Sequence, residues 1–242
     1  MHFSNEALWL FMLIFNFAAI IFAYKFFGKI GLFVWIPISI FMANIQVVLL
    51  VDLFGFGTTL GNIAYASGFL VTDILSENHG EKDAKRAVQI GFFSIISMTF
   101  IMQIAIHFQP SQIAQGIQNH QSVQTIFSFM PRLVGAGLVA YYISQYHDVW
   151  AYAFWKKLLP ATKYLWVRNN LSTMSSQLID NAIFTSLAFW GVFPLDVLWQ
   201  IFWTTYLIKF VVALADTPFL YLAKYLKNKD LIAPTDERIF AQ

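Results

Sequence analysis

Cysteine is absent from this chain, and charged residues are scarce. Its 242 residues include no Cys, and Asp, Glu, Lys and Arg together make up 12%, about half the share typical of soluble domains. The first absence excludes a disulfide scaffold and a cysteine-ligated metal site. The second absence, together with a hydrophobic share of 58%, excludes a disordered chain and argues strongly against a soluble domain, because one core could not bury so much apolar surface.

The motifs of several enzyme classes are missing as well. The sequence contains no P-loop pattern G-x-x-x-x-G-K-[ST], no H-E-x-x-H and no G-x-S-x-G. The glycine-rich run 55–61 has neither the Lys nor the spacing of a P-loop, and we interpret it as a turn on the outer side. The five His residues are scattered. We therefore predict no catalytic residue, no metal site and no cofactor, and a membrane-embedded enzyme remains an alternative without a supporting motif.

Long hydrophobic runs dominate the chain. A membrane-spanning helix needs about 20 consecutive, mostly apolar residues. The run 60–77 is short and contains Asp73 and Glu77, so it spans only if neighbouring helices shield it. The predicted fold class is all-α, a polytopic integral membrane helical bundle with six to seven transmembrane helices. The candidate spans are 6–27, 30–52, 60–77, 88–109, 124–146, 173–193 and 197–222.

The basic residues are distributed unevenly. All 15 Lys and Arg residues except Arg132 and Lys209 follow the first, third, fifth or seventh run, and the alternate connections 53–59, 110–123 and 194–196 contain none. The positive-inside rule then predicts an N-terminus outside and a cytoplasmic C-terminus. The first basic residue, Lys25, comes after the first run, so no cleavable signal peptide is predicted. Together with the absence of Cys, this fits a multi-pass protein of the bacterial inner membrane.

We predict a single transmembrane domain, residues 1–222, followed by a cytoplasmic polar tail, 223–242. Within the domain, 147–172 is expected to be a cytoplasmic interfacial segment. Its first part is predicted to lie on the membrane surface as an amphipathic helix that ends at Pro160. Ala136 and Ala140 permit close helix packing, more readily within one protomer than in a homo-oligomer.

Several polar side chains fall inside the predicted spans, where such groups usually mark a binding site or a pathway. At about 1.5 Å of rise per residue, Asp73 and Asp180 are expected at similar depth, with Lys209 slightly above. Two carboxylates could then face one cavity. The alternative is that Lys209 pairs with Asp180 or Asp73 only to offset its burial. The polar positions are Asn44, Asp52, Asn62, Tyr65, Thr72, Asp73, Glu77, Arg132, Gln177, Asp180, Lys209 and Asp216.

Two polar stretches, 61–80 and 166–180, carry a resemblance to a known family. The runs Thr-Asp-Ile-Leu-Ser-Glu at 72–77 and Arg-Asn-Asn at 168–170, with Gln177 and Asp180, resemble the queuosine precursor transporter family, a branch of the vitamin uptake transporters. The resemblance covers roughly residues 40–222. It implies import of 7-cyano-7-deazaguanine, 7-aminomethyl-7-deazaguanine or queuine for queuosine tRNA modification. The implied partners are this planar deazapurine and the lipid bilayer, without direct nucleic-acid binding.

For such a cargo, Asp180 and Gln177 are predicted to bind the polar edge of the base, with Tyr65 or Phe184 stacking on the ring. The substrate-binding candidates are Asn44, Asn62, Tyr65, Asp73, Gln177, Asp180 and Phe184. The gating or coupling candidates are Glu77, Arg132, Arg168 and Lys209, and Asp73 could also serve in coupling. Transport could be gradient-driven, with a proton on an intramembrane carboxylate, or facilitative.

A retinal-binding seven-helix photoreceptor is a competing interpretation. Its Schiff-base lysine would be Lys209, with an Asp counter-ion. Such proteins usually carry an Asp one turn before that lysine, and position 205 here is Thr.

Overall fold

The computed structural model describes residues 4–47, 49–127, 131–192 and 194–234, most of which are helical. This confirms the all-α class. A short antiparallel hairpin, β1 (Leu50–Leu53) with β2 (Phe56–Thr59), and a 3-10 turn at Thr162–Tyr164 accompany the helices. The helices are α1 (Asn5–Gln46), α2 (Gly61–Asn78), α3 (Glu81–Ala105), α4 (Ala114–Phe127), α5 (Pro131–Leu158), α6 (Leu165–Phe189) and α7 (Leu195–Asn228).

Helix α1 consists of two antiparallel arms that meet at Gly28. The φ angle of Gly28 is 57°, in the left-handed region that favours glycine, and it reverses the chain. The arms are so close there that a Cβ at Gly31 would lie 2.2 Å from the Ala23 carbonyl oxygen. At the far end, the Asn5 side chain donates to the Asp52 carbonyl oxygen at 3.1 Å. The first two predicted runs therefore form one helical hairpin.

The second arm ends at Gln46, earlier than predicted, and Asp52 lies in β1 instead of on a helix. Residues 50–59 pair as a hairpin whose turn has positive φ at Phe54 and Gly55, so their backbone groups are satisfied by the strand ladder. The glycine-rich run thus contributes a turn, as predicted.

Three of the described helices, α1, α3 and α7, are long and apolar enough to cross a membrane. Large apolar side chains such as Phe11, Phe93 and Phe100 are exposed along them, as expected for contact with lipid. Helix α2 is different, because all its residues except Tyr65 and Asn78 are buried. It packs against α1, α3, α5 and α7, which provides the shielding that the prediction required.

The predicted span 124–146 was wrong. Helix α4 ends at Phe127 and covers most of the predicted loop 110–123, whereas α5 begins at Pro131. A proline lacks the N–H that a helix interior needs, but it is tolerated in the first turn.

Residues 147–158, predicted to form a separate helix, are instead the last turns of α5. Asp148, Val149 and Tyr152 in this part are all 0% exposed. Asp148 faces α2 and α6, and Tyr152 contacts Glu77 on α2, so burial of this helix face accompanies the extension of α5 to Leu158, two residues before Pro160. Ala136 and Ala140 are buried within the single chain, as expected for packing inside one protomer.

Helices α3 and α5 approach closely at Gly91, which leads to a first prediction. A Cβ at this position would lie 1.8 Å from the Tyr141 hydroxyl oxygen and 2.7 Å from its ring carbon Cζ. We expect Gly91→Ala to lower the free energy of unfolding by about 1–3 kcal/mol, because the buried tyrosine must move. Gly135→Ala is the matched control, since a Cβ there meets nothing within 4 Å. Thermal unfolding in detergent is measured for both variants. Equal melting temperatures of Gly91→Ala and Gly135→Ala would contradict the prediction.

Candidate functional site

Buried polar side chains lie between α2, α5, α6 and α7 in successive layers along the bundle. Helix α6 runs antiparallel to α2, and their side-chain contacts give the order of the layers. Regular spacing on each helix places these side chains on one face. The contacts between α2 and α6 are Tyr65 with Asp180, Asp73 with Thr173, and Glu77 with Arg168.

The first layer, which we call the Asp180 layer, contains Tyr65, Ser144, Asp180 and Lys209. The Lys209 Nζ lies 2.7 Å from the Asp180 Oδ2. The other carboxylate oxygen, Oδ1, accepts hydrogen bonds from the Ser144 hydroxyl at 3.2 Å and from the Tyr65 hydroxyl. The Lys209 Nζ also lies 5.1 Å from the centre of the Tyr65 ring. Both oxygens of Asp180 are therefore occupied by the protein, and Lys209 has the internal partner that the alternative interpretation proposed.

Two glutamine amides lie beyond this layer, and we call them the amide layer. Gln177 is one turn from Asp180 on α6, and Gln145 follows Ser144 on α5. Gln177 is 1% exposed, and neither polar atom of its side chain has a hydrogen-bond partner among the described residues. The Oε1 of Gln145 accepts from Thr72 at 3.4 Å, but its Nε2 has no partner in the same part of the chain. Such buried orphan groups are uncommon and call for an explanation.

The next layer, the carboxylate layer, contains Asp73, Asp148 and Asp216, all 0% exposed. Asp73 accepts from the Thr173 hydroxyl at 3.0 Å, and Asp216 accepts from the Asn169 side chain at 2.7 Å. Asp148 lies beside the Asp73 carboxyl group and near the hydroxyls of Ser172, Thr173 and Ser176, and none of these hydroxyls makes a hydrogen bond of ordinary geometry with its oxygens.

The last layer, the Glu77 layer, is an ion-pair cluster. The Glu77 carboxylate lies 3.0 Å from Arg168 Nη2, 3.0 Å from Lys224 Nζ and 3.6 Å from Lys156 Nζ, and it accepts from the Tyr152 hydroxyl at 3.1 Å. Arg168 is 0% exposed, and its Nη1 donates to the backbone carbonyls of 159–161. The layer therefore ties α2, α5, α6, α7 and the α5–α6 connection together.

The same end of the bundle carries further basic residues. The Lys29 Nζ lies 2.9 Å from the Asp83 carboxylate, and the Tyr24 hydroxyl lies 2.9 Å from the His79 Nε2. Burial, reinforced by the nearby positive charges of Lys227 and Lys29, lowers the pKa of His79 to about 4. The imidazole between α2 and α3 is therefore neutral at physiological pH.

Most of the predicted site residues lie in these layers. The predicted relative depth of Asp73 and Asp180, however, is wrong. Asp73 and Asp180 were expected at similar depth, yet Tyr65 is the α2 residue that contacts Asp180. Asp73 is eight residues further along α2, about 12 Å away along the helix axis. On α6, Asp73 contacts Thr173 and not Asp180. The two antiparallel helices are therefore shifted along their axes relative to the predicted arrangement.

The remaining predicted residues lie elsewhere or beyond description. Asn44 donates to the Ile40 carbonyl oxygen of its own helix at 2.9 Å, and Asn62 is buried in the first turn of α2. The Phe184 ring lies 5.8 Å from that of Phe189. Arg132 is near the start of α5, but its side chain lies outside the described part of the structure.

Sequence reasoning assigned no site residue to the polar face of α5, although Asp148 is among the residues that carry the family resemblance. Ser144, Asp148 and Tyr152 recur every four residues, and each contributes to a different layer. That spacing was a usable signal. It was overlooked because the predicted span ended at 146 and the following residues were assigned to the membrane surface.

Comparisons with known proteins place the chain in a family. Residues 59–223, which include nearly all of the layers, match a family model described as "Putative vitamin uptake transporter". A "Probable queuosine precursor transporter" of Bacillus subtilis is 43% identical over 236 residues, 97% of this chain and 98% of that protein. A protein of the same printed name from Haemophilus influenzae is 26% identical over 137 residues, 57% of this chain and 54% of that protein.

No solved structure matches the chain. The resemblance inferred from the two polar stretches is confirmed by the family match and by the Bacillus subtilis relative. The chain belongs to the vitamin uptake transporter family, and it is accordingly a multi-pass membrane transporter and not an enzyme.

Proposed function

We propose that this protein imports a 7-deazaguanine precursor of queuosine across the bacterial inner membrane. The observation that carries the proposal is the 43% identity, over nearly the full length of both chains, to a protein named as a queuosine precursor transporter. Membership in a transporter family also argues against the retinal-binding photoreceptor.

The chemistry of the layers supports a flat, polar heterocycle as cargo. A deazaguanine presents N–H donors at N1 and N2 and a carbonyl acceptor at O6, which carboxylates and amides can bind. The carboxylate and amide layers supply both kinds of group at buried positions. The Tyr65 ring in the Asp180 layer is an aromatic surface on the same helix as Asp73, and aromatic rings stack readily on bases.

The Glu77 layer is proposed to be the cytoplasmic gate. Basic residues from α1, α5, α6 and α7 converge at this end of the bundle, and the positive-inside rule assigns such an end to the cytoplasmic side. The start of α1 at Asn5, which contacts Asp52 in the β hairpin, would then lie on the outer side. Release of a substrate to the cytoplasm requires the ion pairs of Glu77 with Arg168 and Lys224 to separate.

Coupling of substrate import to a proton gradient is proposed to involve the carboxylate layer. Asp73 and Asp148 are adjacent buried acids on different helices, the kind of pair that can carry a proton in transporters. A proton-driven importer loses accumulation when a protonophore is added, whereas a facilitative importer retains equilibration of the substrate. Uptake of labelled substrate into cells with and without the protonophore distinguishes the two modes.

Uptake rescue tests the proposed cargo. The host is a bacterium that can neither make nor import deazaguanine precursors, and it expresses this chain while each precursor is supplied at low concentration. We expect queuosine to appear in its tRNA with at least one precursor and to be absent from cells with an empty vector. No queuosine with any precursor, although the protein is present in the membrane, would overturn the substrate assignment.

A further inference from the structure

We propose that Asp148, and not Asp180, binds the N1 and N2 donors of the base, with the amides of Gln145 and Gln177 placed for its O6 carbonyl. The proposal rests on the proposed function, because it names the residue that recognises that cargo. It assigns a binding role to α5, the helix to whose polar face the sequence prediction assigned no site residue.

The first argument is that Asp148 is buried beside another acid and no side-chain cation or hydroxyl is bonded to it among the described residues. It is 0% exposed and lies among the hydroxyls of Ser172, Thr173 and Ser176 on α6. Each of these hydroxyls donates elsewhere, to the Asn169 carbonyl, the Asp73 carboxylate and the Ser172 carbonyl respectively. Both carboxylate oxygens of Asp148 therefore stay without a hydrogen bond from these hydroxyls. A buried carboxylate in this state is costly unless it shares a proton with its neighbour Asp73 or a ligand supplies donors.

The second argument is that Asp180 is already satisfied. Its two oxygens receive Lys209, Ser144 and Tyr65, so a base could bind there only after displacing an ammonium group at 2.7 Å. Two N–H groups of a neutral base are a poor replacement for a cation in a buried site. The pair of Asp180 and Lys209 is better suited to hold α6 and α7 together beside the bound base.

The third argument is the position of the two amides. Along α5, Gln145 lies between Ser144 in the Asp180 layer and Asp148 in the carboxylate layer. Along α6, Gln177 lies between Asp180 and Thr173 in the same two layers. An amide Nε2 donates to a carbonyl oxygen, and the Nε2 atoms of both residues are buried without a partner among the described residues. Asp148 and these amides thus match three neighbouring groups on one edge of a guanine-type base.

The experiment compares two substrates that differ only at the 2-amino group, 7-cyano-7-deazaguanine and 7-cyano-7-deazahypoxanthine. We expect the wild-type protein to take up the first at least about 10-fold faster, because Asp148 then pairs with both donors. Asp148→Asn presents an amide donor to the N–H edge. It should slow uptake of the 2-amino base about 100-fold and remove most of the preference.

Gln177→Leu provides a second variant with a different expected result. Both substrates carry the O6 carbonyl, so their uptake should fall together and the preference should remain. Asp196→Asn, the same change at an exposed residue in the first turn of α7, is the matched control and should behave as wild type. If Asp148→Asn does not reach the membrane, Asp148→Ser is measured in the same way.

The outcomes separate the two proposals. Wild-type protein that imports neither of these deazapurines, nor 7-aminomethyl-7-deazaguanine or queuine, overturns the proposed function. Wild-type protein that imports the 2-amino base, together with Asp148 variants that keep its rate and its preference, overturns the role of Asp148 and leaves the proposed function standing.

Discussion

The Glu77→Gln variant is expected to lose uptake completely and to unfold more easily by about 3–5 kcal/mol. The carboxylate is 3% exposed and faces Arg168, Lys224 and Lys156 at once. Removing its charge leaves Arg168, which is 0% exposed, without its anionic partner. The same carboxylate joins α2, α6 and α7, so the four-helix arrangement around the site should loosen as well.

Glu81→Gln is the matched control for this prediction. Glu81 also pairs with a lysine, Lys85, at 2.6 Å, but both side chains are well exposed on α3. An exposed pair of this kind contributes about 0.3–0.5 kcal/mol, so the control should keep normal uptake and a nearly unchanged melting temperature. Uptake in cells and thermal unfolding of purified protein in detergent measure both variants. Equal behaviour of the two would show that the Glu77 layer is not essential for stability or transport.

The Lys209→Met variant is expected to have the second large effect. It leaves the Asp180 carboxylate buried without its cation, which costs about 3–5 kcal/mol in a pair of this kind. We therefore expect low amounts of folded protein and no measurable uptake. Lys85→Met removes an exposed lysine and should be close to neutral.

The double variant Lys209→Met with Asp180→Asn shows whether stability and transport depend on the pair in the same way. Replacing both charges by neutral groups of similar size should restore most of the folded protein, because no buried charge remains unpaired. Uptake should stay low if the ion pair also acts in the transport cycle. Full uptake by the double variant would assign the pair a purely structural role.

The register between helices could not be predicted from the sequence. Asp73 and Asp180 both belong to the site, but Asp73 contacts Thr173 and Asp180 contacts Tyr65. Depth estimated from span boundaries carries an error of several residues at each end. For two antiparallel helices these errors add, which is enough to place two side chains in the wrong layer.

The C-terminal end of α5 could not be predicted from the sequence for a related reason. The hydrophobic run ends near 146, and Asp148, Lys156 and Lys157 follow it, so hydropathy alone ends the span there. The structure continues the helix to Leu158 because Asp148 and Tyr152 face other polar helices instead of lipid. A hydropathy criterion assumes that every side of a helix faces lipid, so it does not detect a polar face that is buried against other helices.

By itself, the sequence determined the helical class, the membrane setting and the family, because these depend on run length, composition and the dense polar stretches at 61–80 and 166–180. It also identified most of the buried charges, including Glu77, Arg168 and Lys209. The tertiary structure alone decided which carboxylate is paired. Asp180 is held by Lys209, whereas Asp148 lies beside another acid, Asp73, since ion pairing depends on four helices meeting in one register.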